Sequence, residues 1–170
     1  MGFLSKFFAS RQHKISPAAS RGAALSDDEQ YLSAAPLTAA RRRLLWMDPK
    51  ALGLLSGSQT FIQEGNQLLT VQFTEQDIEW ARCVNEYAVK AEQSARAEQY
   101  QKAIDLYKDA LRLAPGCDLY LMSIGCCYAN NGDARRGLKY LERANEISPG
   151  EERIKRNLAG IRQAAARVGR

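Results

Sequence analysis

The sequence predicts a mainly all-α fold, an array of stacked helical hairpins preceded by short helices and a small β-hairpin. Residues 84–117 and 118–151 repeat one pattern of small, bulky and turn residues at a spacing of 34. The matching positions are Ala91 and Gly125, Tyr107 and Leu141, Ala110 and Ala144, Leu113 and Ile147, and Pro115 and Pro149. A unit of this length cannot bury its apolar face alone, so neighbouring units must stack.

The charge distribution limits the kinds of partner that the chain can have. The net charge of +5 lies mostly at the two ends, because residues 1–26 and 152–170 are strongly basic. The middle of the chain, 27–151, has a net charge of −4. Since nucleic-acid-binding domains concentrate positive charge on their folded surface, nucleic acid is not the partner that this sequence favours.

Residues 1–26 form the first predicted region, a flexible, amphipathic and basic segment. Its apolar stripe on a short helix consists of Phe3, Leu4, Phe7 and Phe8. This composition fits an organelle transit peptide, an interfacial membrane anchor that contacts a membrane surface through the stripe, or a docking helix or frayed end. We expect a cytoplasmic protein, with a membrane-peripheral or a mitochondrial or other organellar location as alternatives.

Residues 27–83 form the second predicted region, an extension that packs on the repeats. Ser26 and Glu29 have the spacing of a capping box and predict a short helix that stops before Pro36. A second short helix is expected over 37–47. Asp48 and Pro49 are a typical helix start, and the helix that they begin should end near Gly57. Residues 60–73 alternate apolar and polar side chains around a turn and favour a β-hairpin, with a helix as the alternative.

Two repeats bury too little apolar surface on their own, because about three are usually needed. We therefore expect the large apolar residues of the extension to be core. These residues are Trp46, Leu52, Leu54, Leu55, Phe61, Leu69, Phe73 and Trp80. The run Arg41-Arg42-Arg43 has two readings, a solvated helix face or a contact for an anion such as a phosphate or lipid headgroup.

The remaining chain predicts five long helices. Thr74 and Asp77 cap the first, which should reach about Ala97. The others are expected over 99–113, 118–130, 133–147 and 151–167. The third region is therefore the pair of repeats, 84–151, and the fourth is a basic capping helix and tail, 152–170.

The two units resemble tetratricopeptide repeats (TPR). That family places a large, a small and an aromatic residue in the first helix, small and bulky residues in the second, and a closing proline. The second unit matches at Leu121, Ile124, Gly125, Tyr128, Gly137, Leu141, Ala144 and Pro149. The first matches at Tyr87, Ala91, Ala103, Tyr107, Ala110 and Pro115, and departs from the pattern at Lys90 and Ser94. The resemblance implies a right-handed α-solenoid fragment.

The resemblance also implies a groove lined by the first helix of each unit, which binds another protein or a peptide segment. The implied groove residues are Asn85, Ala88, Glu92, Arg96, Leu119, Met122, Cys126, Ala129, Asn130, Arg153 and Arg156. Methionine adapts to irregular partner surfaces, so Met122 favours a soft apolar centre. An alternative is that the chain's own N-terminal segment partly fills the groove, and self-association is also open.

No catalytic or cofactor-binding arrangement is recognised in the sequence. The one histidine, His13, lies in the N-terminal segment, which leaves no base for a Ser-His-Asp or Cys-His arrangement in the repeats. The four cysteines lack zinc-site spacing, and we expect them to be reduced, small apolar residues. We therefore expect no enzyme, no cofactor and no metal, but an adaptor, scaffold or assembly factor. The alternative is a peripheral membrane or nucleic-acid-associated protein that uses its basic ends.

Overall fold

The computed structural model describes residues 27–47, 49–52, 54–64 and 66–168. The expectations for residues 1–26 and for a cap at Asp48 therefore lie outside the described residues. The elements are, in order, α1 (Asp27–Leu32), α2 (Ala39–Leu45), α3 (Pro49–Leu52), β1 (Gln59–Glu64), β2 (Gln67–Gln72), α4 (Glu75–Arg96), α5 (Tyr100–Leu113), α6 (Asp118–Asn130), α7 (Ala134–Ile147) and α8 (Glu152–Val168).

Helices α4 to α8 form the predicted array of helical hairpins. Three residues join α4 to α5 and three join α6 to α7, so the helices of each pair pack side by side in opposite directions. The first hairpin packs on the second through α5 and α6, and α8 packs on α7. The mainly all-α fold class is thus confirmed. None of the helices in the described ranges is both long enough and apolar enough to cross a bilayer.

Small residues allow the helices of the array to approach each other closely. A Cβ atom on Gly125 would lie 2.8 Å from the carbonyl oxygen of Gly137 and 2.8 Å from Cγ of Leu141. Neither glycine has room for a side chain, so α6 and α7 meet through their backbones. The alanines at the other repeat positions are completely buried: Ala91, Ala103, Ala110 and Ala144.

Local signals set the helix ends where the sequence predicts them. Thr74 and Asp77 form a reciprocal capping box, with the Thr74 amide donating to Asp77 Oδ2 at 3.0 Å. These hydrogen bonds from Thr74 hold the pKa of Asp77 below its usual value. Asp133 caps α7 by accepting from the Arg136 amide at 2.9 Å. Gly132 precedes it with φ of +92°, a backbone conformation that glycine adopts without strain.

The predicted β-hairpin is present and antiparallel, with Phe61 opposite Thr70 and Ile62 opposite Leu69. Its inner face packs on α2 through β1, and Ile62 is buried there. The prediction that all the large apolar residues of the extension are core is wrong for four of them. The exposed fractions are 44% for Trp46, 80% for Leu54, 67% for Phe61 and 37% for Leu69. Phe61 is exposed because it lies on the outer face of the sheet, whereas Leu69 is on the inner face opposite Ile62 and is only partly covered. Trp46 and Leu54 lie outside the sheet.

Two boundaries in the extension differ from the predictions. The helix begun by Pro49 ends at Leu52 instead of near Gly57. The chain turns there, because the amides of Leu54 and Leu55 donate hydrogen bonds to the carbonyl oxygens of Ala51 and Leu52. It then forms an isolated β-bridge between Ser56 and Phe73. Helix α2 begins at Ala39, because the Thr38 hydroxyl accepts a hydrogen bond from the third following amide.

Residues 27–47, which we name the N-terminal strap, pass from one face of the array to the other. Helix α1 packs on α7, and α2 packs on α4. Between them, the Ala34 carbonyl oxygen accepts from Arg143 at 2.9 Å. Gly116 has φ of +70°, and a Cβ atom there would overlap the carbonyl oxygen of Ala35. A side chain at position 116 would therefore block the path of the strap.

Candidate partner-binding groove

An open depression of about 410 Å³ lies on the face of the array that α4 and α6 share. Six of the predicted groove residues line it: Asn85, Ala88, Glu92, Leu119, Met122 and Arg153. Val89, Tyr107, Tyr120 and Ser123 line it as well. Six of the predicted positions therefore lie around one depression, and the role of these residues in partner binding stays a prediction.

Five of the predicted residues do not line this depression. Ala129 faces the other helix of its own hairpin, since a Cβ atom on Gly137 would lie 3.2 Å from its Cβ atom. Cys126 is half-buried away from the depression. Arg96, Asn130 and Arg156 are exposed beyond it. The lining residues of α6 lie between Leu119 and Ser123, in the first half of the helix, which explains why positions near the end of that helix lie outside.

Two buried tyrosines form a rigid floor for the groove. The rings of Tyr107 and Tyr120 stack with their centroids 6.1 Å apart at an angle of 29°. The Tyr120 hydroxyl donates to Oδ1 of Asn85 across 3.5 Å, which links the floor to the α4 wall. Burial raises the pKa of both tyrosines, so their hydroxyls stay protonated at neutral pH.

The N-terminal strap supplies a wall that the sequence analysis did not assign to the groove. Leu45 and Met47 line the depression at the end of α2. Between them in the chain, Trp46 is half-exposed, and its ring has Arg42 and Arg153 each 5.5 Å from its centroid. The expectation that the N-terminal segment, residues 1–26, partly fills the groove lies outside the described residues, and no signal in the sequence assigned Leu45 and Met47 to the groove.

The charged side chains at the groove already have partners on the protein. Glu92 accepts from Arg96, one turn later on α4, at 2.6 Å. Arg153 lies 3.5 Å from a carboxylate oxygen of Glu151. Because these charges are compensated and exposed, they leave little net field in the groove. The surface that remains for a ligand is therefore mainly the apolar one around Met122.

A buried ion pair fixes the strap beside the groove. Arg42 Nη2 lies 2.5 Å from Oδ2 of Asp118, whose side chain is only 2% exposed. Asp118 is in the first turn of α6, where the helix dipole also favours a negative charge. Arg41 lies 5.0 Å from the Trp80 ring centroid. Of the two readings of the arginine run, the solvated face is wrong for Arg42, which pairs with a protein carboxylate.

A second anchor holds the strap on the opposite face of the array. The Asp28 carboxylate accepts from Lys108 Nζ at 2.7 Å and from the Tyr140 hydroxyl at 2.8 Å, with the Tyr128 hydroxyl at 3.5 Å. Burial alone would raise the pKa of Asp28, but the hydrogen bonds from Lys108 and Tyr140 outweigh it and lower the pKa. Desolvation alone would lower the pKa of Lys108, but the hydrogen bonds and charge interactions with Asp28 and Tyr128 together outweigh it and raise the pKa.

Within the described ranges, no three histidine, cysteine or acidic side chains come together as metal ligands. Cys117 and Cys127 are buried, and burial raises their pKa values to about 12 and about 11. Thiols with such values stay protonated at neutral pH and are poor nucleophiles. These two cysteines act as small apolar residues.

Comparison with known proteins adds no identification. No protein-family model, curated protein or solved structure matches the chain.

Proposed function

We propose that the protein is a non-catalytic interaction module, an adaptor, scaffold or assembly factor of the TPR kind. Its groove between α4 and α6 binds a segment of a partner polypeptide. One observation carries the proposal, the open apolar depression of about 410 Å³ on a helical-hairpin array. Such arrays commonly present an extended concave surface to their ligands.

The lining of the groove favours a polypeptide over a small charged ligand. Leu119 and Met122 are half-buried, and Val89 is 49% exposed, so apolar surface is accessible along both walls. Because methionine has three rotatable bonds and a polarizable sulfur, Met122 can adapt to different side chains. The half-exposed Trp46 lies at the strap end, with Arg153 5.5 Å from its ring centroid, and adds aromatic surface there.

Peptides selected from a random library against the full chain would test the proposal. Met122→Glu places a charge in the groove, and we expect it to weaken peptide binding at least tenfold, about 1.4 kcal/mol or more. Leu138→Glu is the matched control, because Leu138 is also half-buried but lies on α7 outside the groove. It should leave binding unchanged. Fluorescence anisotropy gives the affinities, and circular dichroism checks that both variants fold.

Salt separates this proposal from the alternative use of the basic ends. Apolar binding in the groove should change little as ionic strength rises, whereas binding to anionic lipid or nucleic acid should weaken steeply. The proposal fails if Met122→Glu and Leu138→Glu bind the selected peptides equally well. It also fails if anionic vesicles or RNA bind the Met122→Glu variant normally and library peptides never bind the wild type.

A further inference from the structure

The outer edge of the β-hairpin is available for pairing in the described structure. Strand β1 contacts α2 and pairs with β2 along one edge of β2. Residues 67–70 of β2 are all exposed. Among the described residues, the sheet has two strands, and only an isolated bridge from Ser56 to Phe73 adjoins the end of β2. The amide and carbonyl groups on the outer side of β2 thus lack strand partners in this part of the chain.

The composition of β2 leaves this edge without the usual protection against pairing. Its sequence, Gln-Leu-Leu-Thr-Val-Gln, contains no charged residue, proline or glycine. Natural sheet edges are normally protected by a lysine, a proline or a bulge. Leu68, 70% exposed, lies diagonally across the sheet from Phe61, 67% exposed, on the outer face. An apolar patch therefore adjoins the open edge.

We propose that β2 pairs antiparallel with β2 of a second copy of this chain and forms a four-stranded sheet. A two-fold axis would relate the two copies. Each residue of β2 would then lie opposite a residue of the second β2 whose side chain points to the same face of the sheet. Leu69 and Val71 would extend the inner row, and Leu68 and Thr70 the outer row. If β2 carried a charged residue, that charge would lie close to the same charge on the second copy, which is unfavourable. β2 has no charged residue, so this repulsion does not arise.

Pairing with a second copy would also enlarge the sheet. A two-stranded hairpin is marginally stable on its own and is stabilised by packing on a helix, as this hairpin packs on α2, or by further strands. Pairing with a second copy supplies four strands and places Leu68 and Leu69 beside side chains of the second β2. The inference does not depend on the groove, which lies on α4 and α6. The dimer would carry two grooves.

Two lysine substitutions on the full-length chain distinguish edge pairing from other contacts. Leu68→Lys introduces like charges beside the junction and removes apolar burial, so the dimer should dissociate at least about tenfold more readily. Phe61→Lys changes a residue of similar exposure on the same face, but on the strand away from the junction. It should have a much smaller effect. Sedimentation equilibrium measures the dissociation constants, and thermal unfolding checks the fold.

Hydrogen exchange identifies the edge directly. We expect the amides of β2 that point away from β1 to become protected as protein concentration rises, and to lose that protection in Leu68→Lys. A chain that stays monomeric at all concentrations would overturn the proposal. Equal weakening by the two lysine variants would indicate stacking of the sheet faces and would also overturn it. Protection of these outward-pointing β2 amides in the monomer would show that another part of the chain covers the edge, and it would overturn the proposal as well.

Discussion

The helical array and the N-terminal strap differ in the balance of the forces that hold them in place. The array is stabilised by completely buried apolar and small residues that recur with the repeat, such as Leu141 and Ala144. The strap buries Tyr31, Leu44 and Leu45 in the same core, but it also has two polar anchors, Arg42 with Asp118 and Asp28 with Lys108 and Tyr140. The strap also forms a wall of the groove, so both regions shape the same depression. We expect different substitutions to destabilise each region.

The largest effect is expected from a cavity in the array. Leu141 is completely buried and lies against the position of a Cβ atom on Gly125. Leu141→Ala should lower the free energy of unfolding by about 3 kcal/mol, measured by urea denaturation. Leu54→Ala, at a leucine that is 80% exposed, is the control and should change it by less than about 0.5 kcal/mol. Equal losses would contradict the assignment of the core to the array.

The second-largest loss in the free energy of unfolding is expected from removal of the Arg42 guanidinium. Arg42→Met leaves the Asp118 carboxylate buried without its charged partner, which costs about 3 kcal/mol or more in a closed site. Because Arg42 is about one-third exposed, we expect roughly 2 kcal/mol. Adding Asp118→Asn to Arg42→Met should recover much of the loss in urea denaturation. A double variant as unstable as the sum of the two single variants would contradict a direct pair.

Acid should release the strap from its Asp28 anchor before it unfolds the array. The folded pKa of Asp28 is lower than the unfolded one, so its contribution is complete above the unfolded pKa and is lost as pH falls through the folded value. Asp28→Asn should remove this pH dependence and cost about 1 kcal/mol at neutral pH. Hydrogen exchange of the α1 amides measures the release. Parallel acid dependence in wild type and Asp28→Asn would contradict the anchor.

The smallest effect is expected from an exposed ion pair of the array. Arg96 and Glu92 lie one turn apart on α4, and both side chains are more than half exposed. Arg96→Ala should lower the free energy of unfolding by about 0.3 kcal/mol, because solvent and salt screen such pairs. Urea denaturation at low and high salt provides the check. A loss as large as that of Arg42→Met would contradict the expectation that an exposed ion pair contributes less than the pair between Arg42 and the buried Asp118.

Sequence patterns were sufficient for the array, because its determinants are local and periodic. The predicted bounds of α6, 118–130, agree with the structure, and the cap formed by Thr74 and Asp77 is present as expected. The small residues at Gly125 and Gly137 have the close helix contact that their repeat position predicts.

The path of the strap could not be predicted, because it depends on contacts between distant parts of the chain. Arg42 and Asp118 are 76 residues apart, and Asp28 and Tyr140 are 112 apart. No local pattern connects them. The contributions of Leu45 and Met47 to the groove were missed for this reason, and Trp46 was wrongly expected in the core. Its apolar ring instead lies between two guanidinium groups at the surface.

Photo-crosslinking tests the central claim, that the array binds a polypeptide in the groove between α4 and α6, most directly. A benzophenone amino acid would replace Met122 in the groove in one variant and Leu138 on α7 in another. Each variant would be irradiated with the library peptides that bind the wild type. If a polypeptide binds in this groove, a crosslinked peptide forms at position 122 and none forms at position 138. Crosslinking at both positions, or only at position 138, would contradict it.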